Sequence, residues 1–205
     1  MMWSTTILEI NMIIIIVPAK AGSSRLPNKN MAMINGRPMI DYTIDRALAS
    51  RKTHDIYIST DSDEIEEYGK GRGLKIIRRD SSLGGETPLI DVYRHTLKQI
   101  DNADISIVVG LQPDHPDRNI SVDEAIAYFE SQGDQCDMLY SIEKDGTKNG
   151  AHYVMSKRYL LSGVCVKKVK IVDDCTNVHY DRDLKRAAER LKARQKEKTG
   201  ELENR

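Results

Sequence analysis

The chain has 205 residues, and its 31 lysine and arginine residues balance 31 aspartate and glutamate residues to a formal net charge of zero. That balance argues against a protein that binds nucleic acid through a strongly basic surface. The longest apolar stretch, residues 12–17, is far shorter than the ~20 residues of a membrane span, and the start shows no secretory signal. We therefore expect a soluble cytoplasmic protein that binds neither nucleic acid nor membrane.

The first two thirds of the chain alternate apolar strands with amphipathic helices. Residues 13–17 form a continuous apolar run, which is typical of a strand buried on both faces. Residues 38–49 carry apolar side chains at helical spacing, which predicts a helix. The range begins with Pro38, and proline is favoured in the first turn of a helix. The same reasoning predicts strands at 55–60, 74–77 and 105–111, and helices from residue 61, at 88–100 and at 122–129.

The last third continues with strands near 138–142 and 152–155 and a strand over 164–172, followed by a helix from residue 181. This order predicts an α/β protein, a three-layer sandwich with a mostly parallel sheet. We expect a single domain over residues 1–205. Residues 1–11 could be an extension outside the fold, and residues 194–205 form a highly charged tail that we interpret as a solvated helix end.

Cysteine and histidine spacing gives no support for a structural metal site. Cys136, Cys165 and Cys175 are odd in number without a CxxC pair, and the five histidines form no HxH or HxxxH pair. Reduced thiols are the simpler expectation.

Three polar segments follow predicted strands, and ligands of parallel sheets bind beyond the carboxyl ends of the strands. These segments are the loop after Val17, the step at residues 59–61 and residues 112–116. The first loop, PAKAGSSRLPNKN, combines small residues with three cations within ten residues, Lys20, Arg25 and Lys29. Backbone amides of such a loop form an anion nest, and the cations would neutralise a polyphosphate. The alternative is a solvated turn that happens to be basic.

This loop resembles PARxGSKRxPxKN, the nucleotide-binding signature of the acylneuraminate cytidylyltransferases, the CMP-sialic acid synthetase family. The resemblance continues in order through NGRPMIDYTIDRAL, YISTDSDEI, RRDSSLGGET, GLQPDHPDR and NGAHYV, over residues 13–155. It implies a Rossmann-like, glycosyltransferase-A-like nucleotidyltransferase. Such an enzyme uses CTP and a divalent cation, Mg²⁺ or Mn²⁺, to convert an acidic sugar into its CMP conjugate with release of pyrophosphate. Its partners would be these small molecules.

The resemblance also implies site residues. Those of the nucleotide and triphosphate site would be Lys20, Ala21, Gly22, Ser23, Arg25, Lys29, Asn30 and Arg79. Arg25, Lys29 and Asp114 would be catalytic, and Gln112 and Asn149 match positions that contact the acceptor sugar. Lys20 replaces an arginine of the family, and a lysine meets a phosphate as a point charge without the guanidinium fork. Ser24 replaces a lysine, so one cation of the family is missing.

Metal placement departs most from the family. The sialic acid enzymes carry an IDIDT motif whose aspartates hold the metal, whereas residues 176–180 stand here, with Asn177 and His179 at the aspartate positions. Asp114 lies in QPDHP, which resembles the QGDEP of the related CMP-Kdo synthetases, where that aspartate is a metal ligand. Asp114 and His179 are therefore the candidate metal pair. Asp173 or Asp174 could substitute if the alignment is shifted.

A second departure concerns a long arm that the sialic acid enzymes insert before the NGA motif, which carries sugar contacts and an intersubunit surface. Only residues 143–148 fill that gap here, so a homodimer is possible but would lack this arm. Two other functions stay open. The chain could be a degenerate homologue that binds a nucleotide without turnover, or a nucleotidyltransferase with another base or another small acceptor.

Overall fold

The computed structural model of the protein describes residues 11–23, 25–80, 83 and 87–203. The expected extension at residues 1–11 lies, apart from residue 11, outside them, and so does Ser24. The strands are β1 Met12–Pro18, β2 Met33–Ile34, β3 Arg37–Pro38, β4 Asp55–Thr60, β5 Lys75–Arg78, β6 Ile105–Gly110, β7 Cys136–Ile142, β8 Lys148–Ser156 and β9 Lys167–Val172. The helices are α1 Met39–Leu48, α2 Asp63–Gly71, α3 Leu89–Ile100, α4 Val122–Glu130, α5 Lys157–Ser162 and α6 Asp181–Glu203.

Seven strands form one sheet in the order β5-β4-β1-β6-β8-β7-β9. All pairs are parallel except those of β8, which runs antiparallel to both β6 and β7. This confirms the predicted α/β sandwich with a mostly parallel sheet. In the fully buried strand β1, Ile13, Ile15 and Val17 pack under α1, α2 and α4, whereas Ile14 and Ile16 pack under α3 and α5. The alternation follows from the two-residue period of a strand, and it explains why the strand is apolar throughout.

One predicted feature is corrected. Helix α5 is not predicted by the sequence analysis, and the strand expected over residues 164–172 begins only at Lys167, as β9. The charged tail continues α6 to Glu203, with residues 195–197 exposed, while Arg194 Nη1 donates to the carbonyl oxygens of Asp117 at 2.6 Å and Arg118 at 3.2 Å. Among the described helices, none combines the length and the apolar character that a bilayer span requires.

Hydrogen bonds beyond the ends of β1, β4 and β6 hold three loops at one edge of the sheet. The amide of Ala19 donates to Ser59 O at 2.9 Å, that of Arg79 donates to Thr60 O at 2.8 Å, and that of Leu111 donates to Ile16 O at 3.1 Å. The loop after β1, the step after β4 and the segment after β6 therefore begin side by side, as the sequence predicts.

Gly110, the last residue of β6, is required by packing at this edge. A Cβ on Gly110 would overlap the phenol of Tyr93, a fully buried side chain of α3 with no room to move. We expect Gly110→Ala to lower the free energy of unfolding by about 1–3 kcal/mol, as other overpacked cores do. Gly71→Ala is the control, because a Cβ at this helical position meets no heavy atom within 4 Å. It should stabilise by about 0.5–1 kcal/mol. Urea unfolding of both variants tests this, and an unchanged midpoint for Gly110→Ala would contradict it.

Candidate functional site

A cavity of about 230 Å³ opens where the three loops meet. Eight of the residues singled out from the sequence line it, namely Lys20, Gly22, Ser23, Lys29, Asn30, Arg79, Gln112 and Asp114. The first turns of α3 close the other side with Leu89 and Val92, which the sequence analysis did not select. Residues from three distant segments are therefore brought to one concave site at the carboxyl ends of parallel strands, which is where such folds bind ligands.

The loop after β1 is held from outside the cavity, so that its small residues face into it. The amide of Ala21 donates to Asp61 Oδ1 at 2.7 Å, and Asn30 Nδ2 donates to Lys20 O at 2.9 Å. A Cβ at Gly22 would meet no heavy atom within 4 Å, so packing within the protein does not require glycine there. The open space allows a ligand to approach the backbone closely. Ala21 and the exposed Arg25 are not among the lining residues of the cavity.

Lys29 and Asp114 form an ion pair across the floor of the cavity. Lys29 Nζ lies 2.8 Å from Asp114 Oδ2 and also donates to Val178 O at 3.2 Å. Asp114 Oδ1 lies 3.1 Å from Nδ1 of the buried His115. Burial alone would raise the pKa of Asp114, but the neighbouring His115 and Lys29 outweigh it and hold the pKa well below its usual range. Asp114 is therefore a carboxylate at neutral pH.

Arg79 presents a buried guanidinium with unused donors. Its side chain is 4% exposed, and within the described residues Nε and Nη2 have no hydrogen-bond partner. Asp61 Oδ1 is 3.7 Å from Nη2. Burial lowers the pKa of Arg79, and the charge of Asp61 only partly opposes this. A buried cation with free donors is costly unless an anion completes it, which points to a ligand with negative charge in the cavity.

The side chains at the cavity offer few ligands for a metal ion. In the part of the chain that the structure describes, no three His, Cys, Asp or Glu side chains are grouped to hold a metal ion. Asp114 Oδ1 is buried without a hydrogen bond in that part, and such an oxygen fits one ligand position of a cation that takes its other ligands from a phosphate-bearing substrate. His179 is half-buried, and its pKa is lowered by burial and by the charge of Lys29, so its imidazole is available in the neutral form that binds metals.

The alternative metal ligands, Asp173 and Asp174, are engaged elsewhere. Asp173 is buried, accepts from the amide of Asn119 at 2.8 Å and lies 3.1 Å from His152 Nε2. Asp174 lies 3.4 Å from Lys144 Nζ. Neither lines the cavity, and neither does His179, so Asp114 is the acidic side chain that lines it among the described residues.

The two predicted acceptor contacts differ in their surroundings. Gln112 lines the cavity, and its Nε2 donates to Gly150 O at 2.9 Å. Asn149 is buried beside it but does not line the cavity. Its Nδ2 donates to Asp173 O at 2.6 Å and to Glu143 Oε1 at 2.9 Å, and its Oδ1 accepts from Ser141 Oγ at 2.6 Å. Through these hydrogen bonds the Asn149 amide connects the start of β8 with the end of β7 and with the residue that follows β9.

The profile of the family described as Cytidylyltransferase matches residues 14–199. An 8-amino-3,8-dideoxy-manno-octulosonate cytidylyltransferase of Shewanella piezotolerans is 36% identical over 117 residues, which are 57% of this chain and 46% of the relative. The protein of the same name from Shewanella loihica is 32% identical over 144 residues, which are 68% of this chain and 58% of that relative. The chain thus spans about half the length of the curated relatives that it matches.

Two solved structures share the fold. One is a CMP:2-keto-3-deoxy-manno-octonic acid synthetase in complex with CTP, with a TM-score of 0.73 and 16% identity, covering 90% of this chain and all of that one. The other is a protein of Mycobacterium tuberculosis in complex with manganese, with a TM-score of 0.64 and 13% identity, covering 87% of this chain and 99% of that one. At these identities the similarity shows the fold alone, and it confirms the predicted nucleotidyltransferase architecture.

The unused donors of Arg79 lead to a prediction that separates a ligand-binding role from a structural one. Arg79→Met removes a buried charge that only a long ion pair with Asp61 offsets among the described residues, so we expect the thermal midpoint to be unchanged or raised. Binding of inorganic tripolyphosphate, measured by calorimetry, should weaken by about 1.5–3 kcal/mol. Arg78→Met is the matched control, since Arg78 is exposed and pairs with Asp63 and Glu66 outside the cavity. A lowered midpoint with unchanged binding would make Arg79 a structural residue.

Proposed function

The chain belongs to the cytidylyltransferase family, and we propose that it transfers CMP from CTP to a hydroxyl group of a sugar acid, with release of pyrophosphate. The observation that carries the proposal is the cavity at the carboxyl edge of the sheet. It combines a small-residue loop with Lys20, Lys29 and Arg79 around a volume that suits the phosphates of a nucleotide. In a protein without net charge, this concentration of cations marks the place for an anionic substrate.

The reaction needs charge stabilisation more than covalent chemistry. The hydroxyl oxygen of the acceptor forms a bond to the α-phosphorus of CTP and loses its proton, while the bond from that phosphorus to the bridging oxygen breaks. Pyrophosphate leaves with the electron pair of that bond. Backbone amides near Gly22 and Ser23, together with Lys29 and Arg79, would hold the phosphates and neutralise the charge that develops on them. Arg25, exposed on the same loop, would act only if it turns towards the bound triphosphate.

A divalent cation, Mg²⁺ or Mn²⁺, would neutralise phosphate charge in this reaction. Asp114 would hold it, with His179 as the second protein ligand. The neutral imidazole of His179 suits manganese better than magnesium. Manganese in one protein of the same fold supports testing both ions. Lys29, now paired with Asp114, would then be released towards the phosphates.

The names of the relatives favour an eight-carbon 3-deoxy sugar acid over sialic acid as the acceptor. The short turn between β7 and β8 supports this, since it leaves no room for the long arm that the sialic acid enzymes carry. The two alternatives, a nucleotide-binding homologue without turnover and an enzyme with another base or acceptor, are separate outcomes of the same assay.

We expect pyrophosphate release from CTP in the presence of 3-deoxy-manno-octulosonate or its 8-amino-8-deoxy analogue, with Mg²⁺ or Mn²⁺. UTP, ATP and GTP should be at least about tenfold poorer substrates, and acylneuraminate should be a poorer acceptor. A coupled pyrophosphate assay with parallel calorimetry of each nucleotide tests this. If CTP binds but no acceptor leads to release of pyrophosphate, the proposed enzymatic activity is contradicted. That outcome would favour a homologue that binds the nucleotide without turnover.

Asp114→Asn keeps the shape of the side chain and removes its charge. We expect turnover to fall by about a hundredfold or more, because the carboxylate that would hold the cation is lost and the charge on the phosphates would be less well neutralised. Rates are measured against concentrations of Mg²⁺ and Mn²⁺, with circular dichroism to confirm the fold. Asp145→Asn, in the exposed turn after β7, is the control and should leave the rates unchanged. Near-normal rates for Asp114→Asn would remove Asp114 from the site.

A further inference from the structure

A second cavity, of about 420 Å³, lies beside the first on the face of the sheet that α3 and α5 cover. Its walls come from the first turns of α3, from β7, β8 and β9, and from α5. They are formed by Pro88, Leu89, Ile90, Tyr93, Met138, Tyr140, Lys148, Tyr153, Met155, Tyr159 and Lys168. Leu89 lines both cavities, so only the first turn of α3 separates them.

Two lysines without carboxylate partners stand at this second cavity. Lys148 Nζ lies 5.2 Å from the centre of the Tyr140 ring and 5.0 Å from that of Tyr153. Nowhere in the described ranges does a carboxylate form an ion pair with Lys148 or Lys168. Burial lowers the pKa of Lys148, and the charge of Lys168 lowers it further. Two cations that repel each other without a counter-charge make the cavity attractive to an anion.

The rest of the wall offers hydroxyl groups on an apolar surface. The side chain of Tyr93 is 1% exposed, and over the described parts of the chain its Oη has no hydrogen-bond partner. Tyr153 packs against it with the ring centres 6.1 Å apart, and burial raises its pKa to about 12, so it stays a neutral donor. The tilted aromatic rings and the hydroxyl group of Tyr153 suit a polyhydroxylated ring or chain.

The two cavities also meet at Gly150. Gln112 Nε2 from the first cavity and Tyr153 Oη from the second both approach the point where a Cβ of Gly150 would stand. Gly150 has a φ of +77°, a backbone conformation that favours glycine. Because glycine has no Cβ, the side chains of Gln112 and Tyr153 can both approach this position between the two cavities. Side chains that line the two cavities therefore come together at Gly150, so a molecule in the second cavity would lie next to one in the first.

We propose that the second cavity binds the acceptor and that Lys148 and Lys168 receive its carboxylate. This inference rests on the proposed function, since it assigns the acceptor's place in that reaction. Lys148 and Lys168 are then the residues that select an acidic acceptor over a neutral sugar. The aromatic contacts of Lys148 would hold its stem in place, while its ammonium group binds the ligand.

The test compares Lys148→Met with Lys148→Arg. With 3-deoxy-manno-octulosonate as the acceptor, Lys148→Met should raise KM for the acceptor about 10- to 100-fold, the range of a lost charge-assisted contact. KM for CTP and the rate at saturating acceptor should stay within about twofold, and Lys148→Arg should restore most of the loss. The carboxamide of the same acceptor should bind equally to the wild type and to Lys148→Met. An effect of Lys148→Met on KM for CTP alone would overturn the inference and assign the lysine to the nucleotide.

Lys170→Met is the matched control, because Lys170 is exposed two residues after Lys168 on β9 and does not line the cavity. Calorimetric titration of octulosonate into the protein in the absence of CTP measures acceptor binding alone. It therefore tests the inference independently of the proposed function. If octulosonate binding depends on Lys148 but no pyrophosphate is released in the assay, the inference is supported and the proposed enzymatic activity is contradicted. Turnover of octulosonate that does not change in Lys148→Met would support the enzyme and overturn the inference, as would the absence of octulosonate binding in the wild type.

Discussion

The site depends on one buried arginine, Arg118, whose side chain is completely shielded from water. Its Nη1 donates to Thr43 Oγ1 at 2.8 Å, and its Nη2 donates to Gln112 O at 2.5 Å and Ala151 O at 3.1 Å. The guanidinium thereby ties α1, the segment after β6 and the start of β8 together. Burial lowers the pKa of Arg118, whereas Cys175 and Asp173 oppose this. Removing the guanidinium would take its donors away from two carbonyl oxygens and one hydroxyl group, which is costly inside a protein.

The elements with a strong pattern are those that the sequence predicts well. β1 and β6 are predicted as strands because both of their faces are buried, and α3 is predicted because its apolar side chains follow the helical period. α5 has six residues, too few for a period to show, and its start is signalled only by Ser156, whose hydroxyl accepts from the amide of Tyr159. The hairpin of β2 and β3 has two residues in each strand and carries no pattern either.

Site prediction was limited by side-chain direction and by partners distant in sequence. The motifs place Lys29 and Asp114 at one edge of the sheet, but their ion pair joins residues 85 positions apart and needs the fold. The NGAHYV motif led to the expectation that Asn149 contacts the acceptor, whereas in this structure its amide donates to Asp173 O and Glu143 Oε1. Arg118 stands inside a quoted motif, and that resemblance was the one signal that could have singled it out. The tyrosines of the second cavity carry no motif that the sequence analysis used.

The direction of β8 explains how two cavities share one edge of the sheet. In a parallel sheet only the carboxyl ends of strands reach that edge, and β1, β4 and β6 supply the loops of the first cavity in this way. Because β8 runs antiparallel to β6, its amino end lies there instead. The short turn before it, in which the amide of Glu143 donates to Thr147 O at 2.7 Å, starts the strand at Lys148. A cation, the glycine at the boundary and a tyrosine therefore follow within six residues on one strand, so the reversed strand carries side chains of the second cavity up to the edge of the first.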